Sequence, residues 1–409
     1  MNYYRFFVAN YKIILFAIAL TFFSAFGQTF ILALYIPEII HEFDITQKLY
    51  SSLYAGATLM SGITIIFAGK IIDRTSVKKF TLWVIAGLIA ANLMAGLAQN
   101  LVMIFLAIFM LRFFGQGMFT HTAATSMGRF FSFSRGKALS LTHLGFPLAE
   151  SVFPIAVVSI ILVYGWRETF FLSAAFIALA LFPLVIFLLR GFDRKNIIED
   201  DENDKNRPAT GPDQDRFWSQ KQLIRTIKFY LLAPSVFIVG FVQTSLFFYQ
   251  SFIAEYKGWS REWMALSITA YAVASLLSSI ATGPLADKFS AKAVFPFVQI
   301  PLSIGLLLLS SFTHPAIAMV MWFFVGITGG SSPTAANAVY AELFGIKSLG
   351  GIRSIFTFVM VVSTAAGPVV YSFLLDKGFN YDHIHLFTVG VVIINVLFVY
   401  FGFKNQKIL

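Results

Sequence analysis

Long apolar runs separated by short polar segments extend along the whole of this chain. A helix that spans a membrane needs about 20 apolar residues, and twelve runs are long enough to cross a hydrocarbon core about 30 Å thick. Because backbone groups inside a bilayer must bond to one another, each run is predicted to be a helix. The predicted spans are residues 13–36, 50–72, 80–98, 101–122, 137–162, 168–190, 229–252, 264–286, 293–312, 315–340, 351–374 and 383–403. The pattern predicts an all-helical membrane protein with twelve transmembrane helices.

Composition narrows the class of protein. The chain is 58% hydrophobic and only 12% charged, which is outside the range of soluble domains. It contains no cysteine, so disulfides and thiolate metal sites are excluded. The first run has no small-residue cleavage site, and we interpret it as a retained helix. No phosphate-binding G-x-x-x-x-G-K-[ST] motif occurs. We therefore expect no enzymatic activity and no bound cofactor.

Basic residues predict the orientation. With both termini in the cytoplasm, the outer loops carry few of the 30 lysines and arginines, namely Lys48, Arg167, Lys257, Arg261 and Lys377. This bias follows the rule that positive charge stays on the inner side. The net charge of +10 then reflects topology and contact with anionic lipid, and it gives no reason to expect nucleic acid as a partner. We expect a protein of the bacterial cytoplasmic (inner) membrane, as a monomer in the lipid bilayer.

One polar segment divides the chain. Residues 191–228 are rich in charges of both signs and contain Pro208 and Pro212, so they are predicted to form a cytoplasmic linker. From Trp218 to Lys228 the apolar and basic residues alternate with helical spacing, which predicts a short amphipathic helix on the inner leaflet. The predicted units are a six-helix half at 1–190, the linker at 191–228, and a second half at 229–409.

The two halves share a repeated motif. Residues 69–79 read GKIIDRTSVKK, and residues 283–292, 214 positions further on, read GPLADKFSAK. The same offset aligns Gly69 with Gly283, Asp73 with Asp287, Arg74 with Lys288, Lys78 with Lys292, Gly115 with Gly329, Gly136 with Gly350 and Pro154 with Pro368. Such a register indicates an internal duplication. In a membrane protein with many spans, a duplication predicts two similar halves with a site between them.

These features together resemble the major facilitator superfamily. The resemblance rests on twelve spans, a long central loop and the motif G-x-x-x-D-[RK]-x-x-x-[KR] in both halves, and it covers nearly the whole chain. Three shorter matches are RFFGQG at 112–117, SRGKALS at 134–140 and GWRETFF at 165–171. Ser76 replaces a glycine of the family's loop motif, and the glycine-rich stretch of drug/proton antiporters is absent from GFPLAESVFP at 145–154. The resemblance implies two parallel-repeat halves that move a solute by alternating access.

The repeated loop motif predicts a gate. Asp73 and Asp287 lie near the cytoplasmic ends of their helices, where a carboxylate accepts hydrogen bonds from a helix N-terminus or pairs with a cation. Arg74 and Lys288 follow directly and are expected at the level of the lipid headgroups. The resemblance implies that these four residues take part in gating. The alternative is that the motif only anchors the topology.

Ionisable residues are rare in the middle of predicted spans, and there they indicate function. Arg112 lies in the fourth span with Gln116 one turn further on, and Glu150 lies in the fifth span with His143 on the same face. Three interpretations of Arg112 and Glu150 stay open. They form a structural ion pair, or Glu150 carries a proton with His143 beside it, or Arg112 binds a carboxylate or phosphate of the substrate.

The second half has polar but uncharged candidates. Gln243 and Gln250 share one face of the seventh span, and Asn337 lies in the tenth. Gln28 in the first span adds a further amide. The resemblance implies that the first, seventh and tenth helices line the central cavity, so we expect these amides to contact substrate. The alternative is that they only join neighbouring helices.

The sequence thus predicts a secondary transporter for a small organic solute. Proton coupling through Glu150, such as symport, is expected. The eighth span has no cation, so a mono-anion such as a monocarboxylate, or a zwitterion, is favoured over a dianion. A drug or metabolite exporter of the same fold is the alternative, and a sensor with a transporter fold is less favoured.

Overall fold

The computed structural model describes residues 3–68, 71–72, 75–131, 134–191, 218–345 and 349–405. Throughout these residues the chain is helical, with short turns and no strand. Among these described residues, eleven helices are long and apolar enough to cross a membrane. At the position of the predicted second span the structure has a helix of 22 residues, Gln47–Ala68, that is not among these eleven. The expected all-helical membrane protein is confirmed.

The chain divides into two compact units. The first comprises Met1–Thr46 and Gly56–Pro208, and the second comprises Gln47–Ala55 and Ala209–Leu409. The first contains helices α1 (Tyr3–Ala9), α2 (Tyr11–Phe23), α3 (Thr29–Leu32), α4 (Ile36–Glu42), α6 (Val77–Gly96), α7 (Leu101–Met110), α8 (Thr120–Phe130), α9 (Arg135–Thr142), α10 (Gly145–Tyr164), α11 (Trp166–Phe176) and α12 (Phe182–Leu188), together with most of α5 (Gln47–Ala68).

The second unit begins with the first residues of α5. It continues with α13 (Gln220–Leu223), α14 (Ile227–Phe248), α15 (Gln250–Lys257), α16 (Arg261–Phe289), α17 (Ala291–Val294), α18 (Ile300–Ser311), α19 (Ala316–Phe344), α20 (Leu349–Asp376) and α21 (Tyr381–Asn405). Polar residues set several helix starts. The side chains of Asn100, Thr226 and Ser260 each accept a hydrogen bond from a backbone N–H three residues on.

Three predicted spans are interrupted in the described residues, and the fifth of the twelve has a turn at His143–Leu144 between α9 and α10. The first span consists of α2, a 3₁₀ turn at Ser24–Gly27, an extended residue Gln28, then α3 and α4. The seventh is broken at Tyr249, which separates α14 from the short helix α15. The fourth span is continuous, but its middle section, Leu111–Phe119, is a π-helix. Such interruptions occur in membranes where other protein groups satisfy the freed backbone.

In each unit, an ion pair joins the first span to the last span. In the first unit, the Arg167 guanidinium at the start of α11 binds the Glu42 carboxylate at the end of α4. Arg167 also donates to the carbonyls of Gly96 (3.0 Å) and Ala98 (2.6 Å). In the second unit, Lys257 Nζ at the end of α15 lies 2.7 Å from Asp382 Oδ1 near the start of α21.

The end of the linker does not form the predicted helix on a lipid surface. The helix α13 has only four residues, and its N-terminus is closed by a capping box between Ser219 and Gln222. Leu223 is fully buried, and the Trp218 ring meets the ring of Phe344 edge-on at 5.5 Å. Trp218 and Leu223, two of the apolar residues that predicted contact with lipid, therefore pack into the apolar cluster of the second unit, whereas Ile227 stays exposed. The rest of the linker before Trp218 lies outside the described residues.

Candidate functional site

Arg112 is bound to the break in the first span. Its side chain is almost fully buried, with 2% exposed. Nη1 donates to the Gly27 carbonyl at 3.3 Å and to Thr29 Oγ1 at 3.1 Å. The 3₁₀ turn and the extended Gln28 interrupt the helical ladder at this point, so the guanidinium satisfies a carbonyl that the break exposes. A buried charge is tolerated only with such partners.

Close contact between glycines brings the two segments together. A Cβ on Gly115 would lie 2.7 Å from Gly27 Cα and 2.8 Å from Gly27 N. Only glycine at both positions allows the π-helix and the 3₁₀ turn to touch through their backbones. π-Helical segments are rare and occur mostly at functional sites. The contact explains why the GQG part of the sequence follows Arg112.

The amides of Gln28 and Gln116 lie beside this contact. Both side chains are half-buried, and neither makes a hydrogen bond to any residue that the structure describes. Gln116 directly follows Gly115, and Gln28 directly follows Gly27. The site in the first unit thus combines a bound guanidinium with two amides whose donors and acceptors are available.

Glu150 and His143 lie on the fifth span. Glu150 is half-buried in the second turn of α10, and within the described residues its carboxylate has no hydrogen bond and no ion pair. The structural pair with Arg112, one of three sequence interpretations, is therefore not made in this conformation. His143 lies in the turn between α9 and α10, is exposed, and has its ring 5.6 Å from that of Phe146.

Aromatic rings surround the helix next to Glu150. Phe153, one turn further along α10, lies 4.7 Å from the ring of Phe22 and 4.9 Å from that of Phe26. The Phe176 ring stacks on Phe23 at 5.2 Å. These rings make the surroundings of α10 apolar just before the break in the first span. A carboxylate in such surroundings is costly to ionise.

The amides of the second unit have different surroundings. Gln243 is half-buried and donates from Nε2 to the Val325 carbonyl of α19 at 3.3 Å. Gln250 is buried at the start of α15, next to the break at Tyr249. Asn337 is exposed on α19, and within the described part of the chain its side chain has no hydrogen-bond partner. Gln243 thus joins two neighbouring helices, which was the alternative to contact with substrate. The Asn337 side chain is available for a ligand.

The predicted gate is only partly described. Asp73 and Arg74 lie outside the described residues. Asp287 and Lys288 are exposed in the last turn of α16, and Lys288 Nζ lies 5.1 Å from the ring centre of Phe289. Asp287 makes neither an ion pair nor a hydrogen bond to a described residue, so it does not cap a helix in this conformation. Ser76 caps α6 instead, because its hydroxyl accepts a hydrogen bond from the backbone N–H of Lys79 at 3.3 Å.

Two charged residues that sequence reasoning missed make hydrogen bonds to the backbone of the repeated motif. Glu342 Oε2 on α19 accepts from the backbone N–H groups of Ala291 (2.8 Å) and Lys292 (3.3 Å), at the start of α17. In the first unit, Arg129 Nη2 on α8 donates to the Ile72 carbonyl at 2.8 Å. Each lies beyond the end of a predicted span, in a part of the chain to which the sequence pattern assigned no function. Their nearly equivalent positions in the duplicated halves are the signal that would have found them.

Comparison with known proteins identifies the fold. Two solved structures of a bacterial homologue of the human lysosomal transporter Spinster, inward-facing and either unoccupied or occupied, resemble the chain with TM-scores of 0.71 and 0.70. Both are 15% identical to it; the first match covers 96% of each chain, and the second covers 99% of this chain and 98% of the other. No curated protein matches the sequence. The profile described as Major Facilitator Superfamily matches residues 17–260 and again 232–407. The chain therefore belongs to the major facilitator superfamily.

Proposed function

We propose that this protein is a secondary active transporter that moves a small organic solute by alternating access and couples the movement to protons. The substrate is a mono-anion such as a monocarboxylate, or a zwitterion. The observation that carries the proposal is Glu150, a carboxylate on an apolar helix with no hydrogen bond or ion pair to a described residue. Such a group has no structural role to explain its presence in a membrane.

The proposal gives Glu150 the role of proton carrier. Aromatic rings around α10 disfavour its charged form, so a proton is the simplest way to neutralise it. His143, seven residues earlier, is an exposed group through which a proton can reach the helix. In this proposal Glu150 exchanges its proton when the conformation changes its access to water.

Arg112, Gln28 and Gln116 are proposed to bind the solute in the first unit. The guanidinium supplies charge next to two half-buried amides that have donors and acceptors to offer. One positive charge suits a solute with one carboxylate. In the second unit, Asn337 and Gln250 are proposed as further polar contacts, with Gln243 fixing the helix that carries them. The gate is assigned to Asp73, Arg74, Asp287 and Lys288.

The first experiment identifies a ligand. The detergent-solubilised protein is heated with amino acids, monocarboxylates, sugars, nucleosides and phosphate esters at pH 5.5 and 7.5. A ligand that binds the native state raises the apparent melting temperature by mass action. We expect a monocarboxylate or zwitterion to do so, and we expect Gln116→Ala and Arg112→Lys to reduce the effect. A shift produced only by uncharged solutes would contradict the assignment of Arg112.

The second experiment tests the proton. The ligand that raises the melting temperature is supplied to proteoliposomes with an inward or outward pH gradient, and accumulation is measured. We expect Glu150→Gln to abolish accumulation driven by the gradient while exchange of internal for external solute persists. Glu168→Gln, an exposed carboxylate at the start of α11, is the matched control. Full gradient-driven accumulation by Glu150→Gln would refute the role of Glu150.

A further inference from the structure

A histidine without hydrogen-bond partners is buried in the second unit. His385, on the second turn of α21, has none of its surface exposed. Within the described residues neither ring nitrogen has a hydrogen-bond partner. Leaving a buried donor and acceptor unsatisfied costs about 1–3 kcal/mol. His385 lies outside the proposed substrate site, and this unfavourable free energy indicates that it has another role.

The charges next to His385 explain why it lacks a partner. Asp382 lies one turn earlier on α21, on the same face as His385, and Lys257 at the end of α15 pairs with its carboxylate. Lys257 Nζ is 2.7 Å from Asp382 Oδ1, and the Tyr256 hydroxyl donates to Oδ2 at 3.1 Å. One carboxylate oxygen is therefore in ion-pair contact with Lys257, and the other accepts a hydrogen bond from Tyr256. The imidazole is beside a carboxylate that already has its counter-ion.

We propose that Lys257 and a proton on His385 are alternative counter-ions of Asp382, and that protonation of His385 releases α15 from α21. With Lys257 in place, the carboxylate is neutralised and the buried imidazole stays neutral. When Lys257 moves away, a protonated His385 takes over the carboxylate from the adjacent turn. The site is thus a proton-binding site in the second unit, distinct from Glu150.

The fold allows α15 to move independently. The break at Tyr249 interrupts the helix before α15, and Gly258, with φ +72°, ends it. Lys257 is the last residue of this short helix, and its side chain is only 2% exposed. Because Asp382 is the acid that pairs with this charged group, loss of that pair weakens the hold on the end of α15 and exposes it to solvent.

The tyrosines around the site stay protonated between pH 5 and 8. Tyr371 of α20 and Tyr381 of α21 have their rings 6.1 and 6.4 Å from His385, and Tyr249 stacks on Tyr371 at 5.8 Å. Phenols ordinarily titrate near pH 10. Burial, together with the neighbouring carboxylate, raises the pKa of Tyr256 further. The released state binds one more proton, so it gains population as the pH falls, by at most about tenfold per unit.

The absence of cysteine permits a direct test. Ala254 on α15 is fully buried, so Ala254→Cys reports release of the helix by its reaction with a water-soluble thiol reagent. Rates are measured from pH 5 to 8 in detergent without solute and divided by those of the exposed Lys377→Cys, which corrects for thiol ionisation. We expect the ratio to rise about tenfold or more as the pH falls from 8 to 6.

Three variants decide the outcome. The expected rise disappears in His385→Gln and persists in His383→Gln, the exposed histidine two residues earlier on the same helix. Lys257→Gln is expected to react rapidly at every pH. A rise that is equal in His385→Gln and the parent chain, or no rise in the parent chain, overturns the proposal. The test needs no solute, so its failure leaves the transport proposal intact, and failure of transport leaves this site intact.

A second measurement covers the case in which His385→Gln does not fold. In the Lys257→Gln chain, with the other histidines replaced by glutamine, the imidazole NMR signal of His385 is followed against pH. We expect it to titrate between pH 5 and 8, and we expect no titration over that range in the same chain with Lys257 restored. An imidazole that stays neutral in both chains refutes the exchange of counter-ions.

Discussion

The contact between Gly27 and Gly115 gives the sharpest test of the site in the first unit. In Gly115→Ala, the added methyl would lie 2.7 Å from Gly27 Cα and 2.8 Å from its nitrogen. Both neighbours are backbone atoms, so no side chain can rotate to make room. The 3₁₀ turn at Ser24–Gly27 must therefore move away from the π-helix.

The expected cost follows from two opposing effects. Inserting a methyl group into a tightly packed site costs about 1–3 kcal/mol. Replacing glycine by alanine within a helix stabilises the fold by about 1 kcal/mol through helix propensity. The net destabilisation is therefore at most about 2 kcal/mol, but the effect on geometry is larger. The hydrogen bond from Arg112 Nη1 to the Gly27 carbonyl is already 3.3 Å long, so a further shift of about 0.5 Å removes it.

The assay combines stability with ligand binding. Unfolding free energies are measured in mixed detergent micelles, and the ligand found by thermal shift is titrated against each variant. We expect Gly115→Ala to lose about tenfold or more in affinity, because 1.4 kcal/mol corresponds to a factor of ten. Gly390→Ala is the matched control, since a Cβ there meets nothing within 4 Å and the position lies within α21. If Gly115→Ala matches Gly390→Ala in stability and affinity, the contact does not hold the site together.

Three further predictions concern other contacts. Thr29→Val removes an acceptor of the buried Arg112 and should cost about 1.5–3 kcal/mol of unfolding free energy, whereas Thr29→Ser should cost far less; equal losses would contradict the role of the hydroxyl. At pH 8 or above, where His385 is neutral, Lys257→Met should cost about 3–5 kcal/mol because it leaves a partly buried carboxylate without its cation. Lys48→Met, in an exposed pair, should change stability by no more than about 1 kcal/mol, and chemical unfolding distinguishes the two variants. Glu342→Ala removes the carboxylate that caps α17 and should lower the unfolding free energy by about 0.5–2 kcal/mol in the same assay. An unchanged unfolding free energy would show that this cap does not stabilise the fold.

Apolar length was sufficient to predict the helices. Eleven of the twelve predicted spans correspond to helices long enough to cross a membrane, because a bilayer leaves the backbone few alternatives. Helix interruptions were not predictable in the same way. Gly27 was the only local signal for the break in the first span, and Pro154 and Pro234 lie within helices that continue through them. A break is decided by the partners that satisfy it, and Arg112 lies far away in sequence.

The candidate site shows the same limit. The charges of Arg112 and Glu150 stood out in the sequence because charge is rare in apolar spans, but their partners did not. Arg112 binds a carbonyl and a hydroxyl of the first span, and no spacing rule connects residues so far apart. Trp218 likewise had the pattern of a lipid-facing residue and became buried against Phe344. An amphipathic pattern identifies which face of a helix is buried, but it does not show whether lipid or protein covers that face.

The two halves keep an ion pair at corresponding positions, but the acid and the base have changed places. The first unit joins its first and last long helices with an acid at Glu42 and a base at Arg167. In the second unit, Lys257 and Asp382 follow these residues at the same spacing, one residue beyond the offset of the repeat, and the charges are exchanged. Attraction between the two helices survives such an exchange, because it depends on the product of the charges and not on their order. The exchange changes what a proton can do, since a carboxylate on α21 can accept a histidine of its own helix as counter-ion and an arginine on α11 cannot. On this reasoning the pH-sensitive link belongs to the second unit alone.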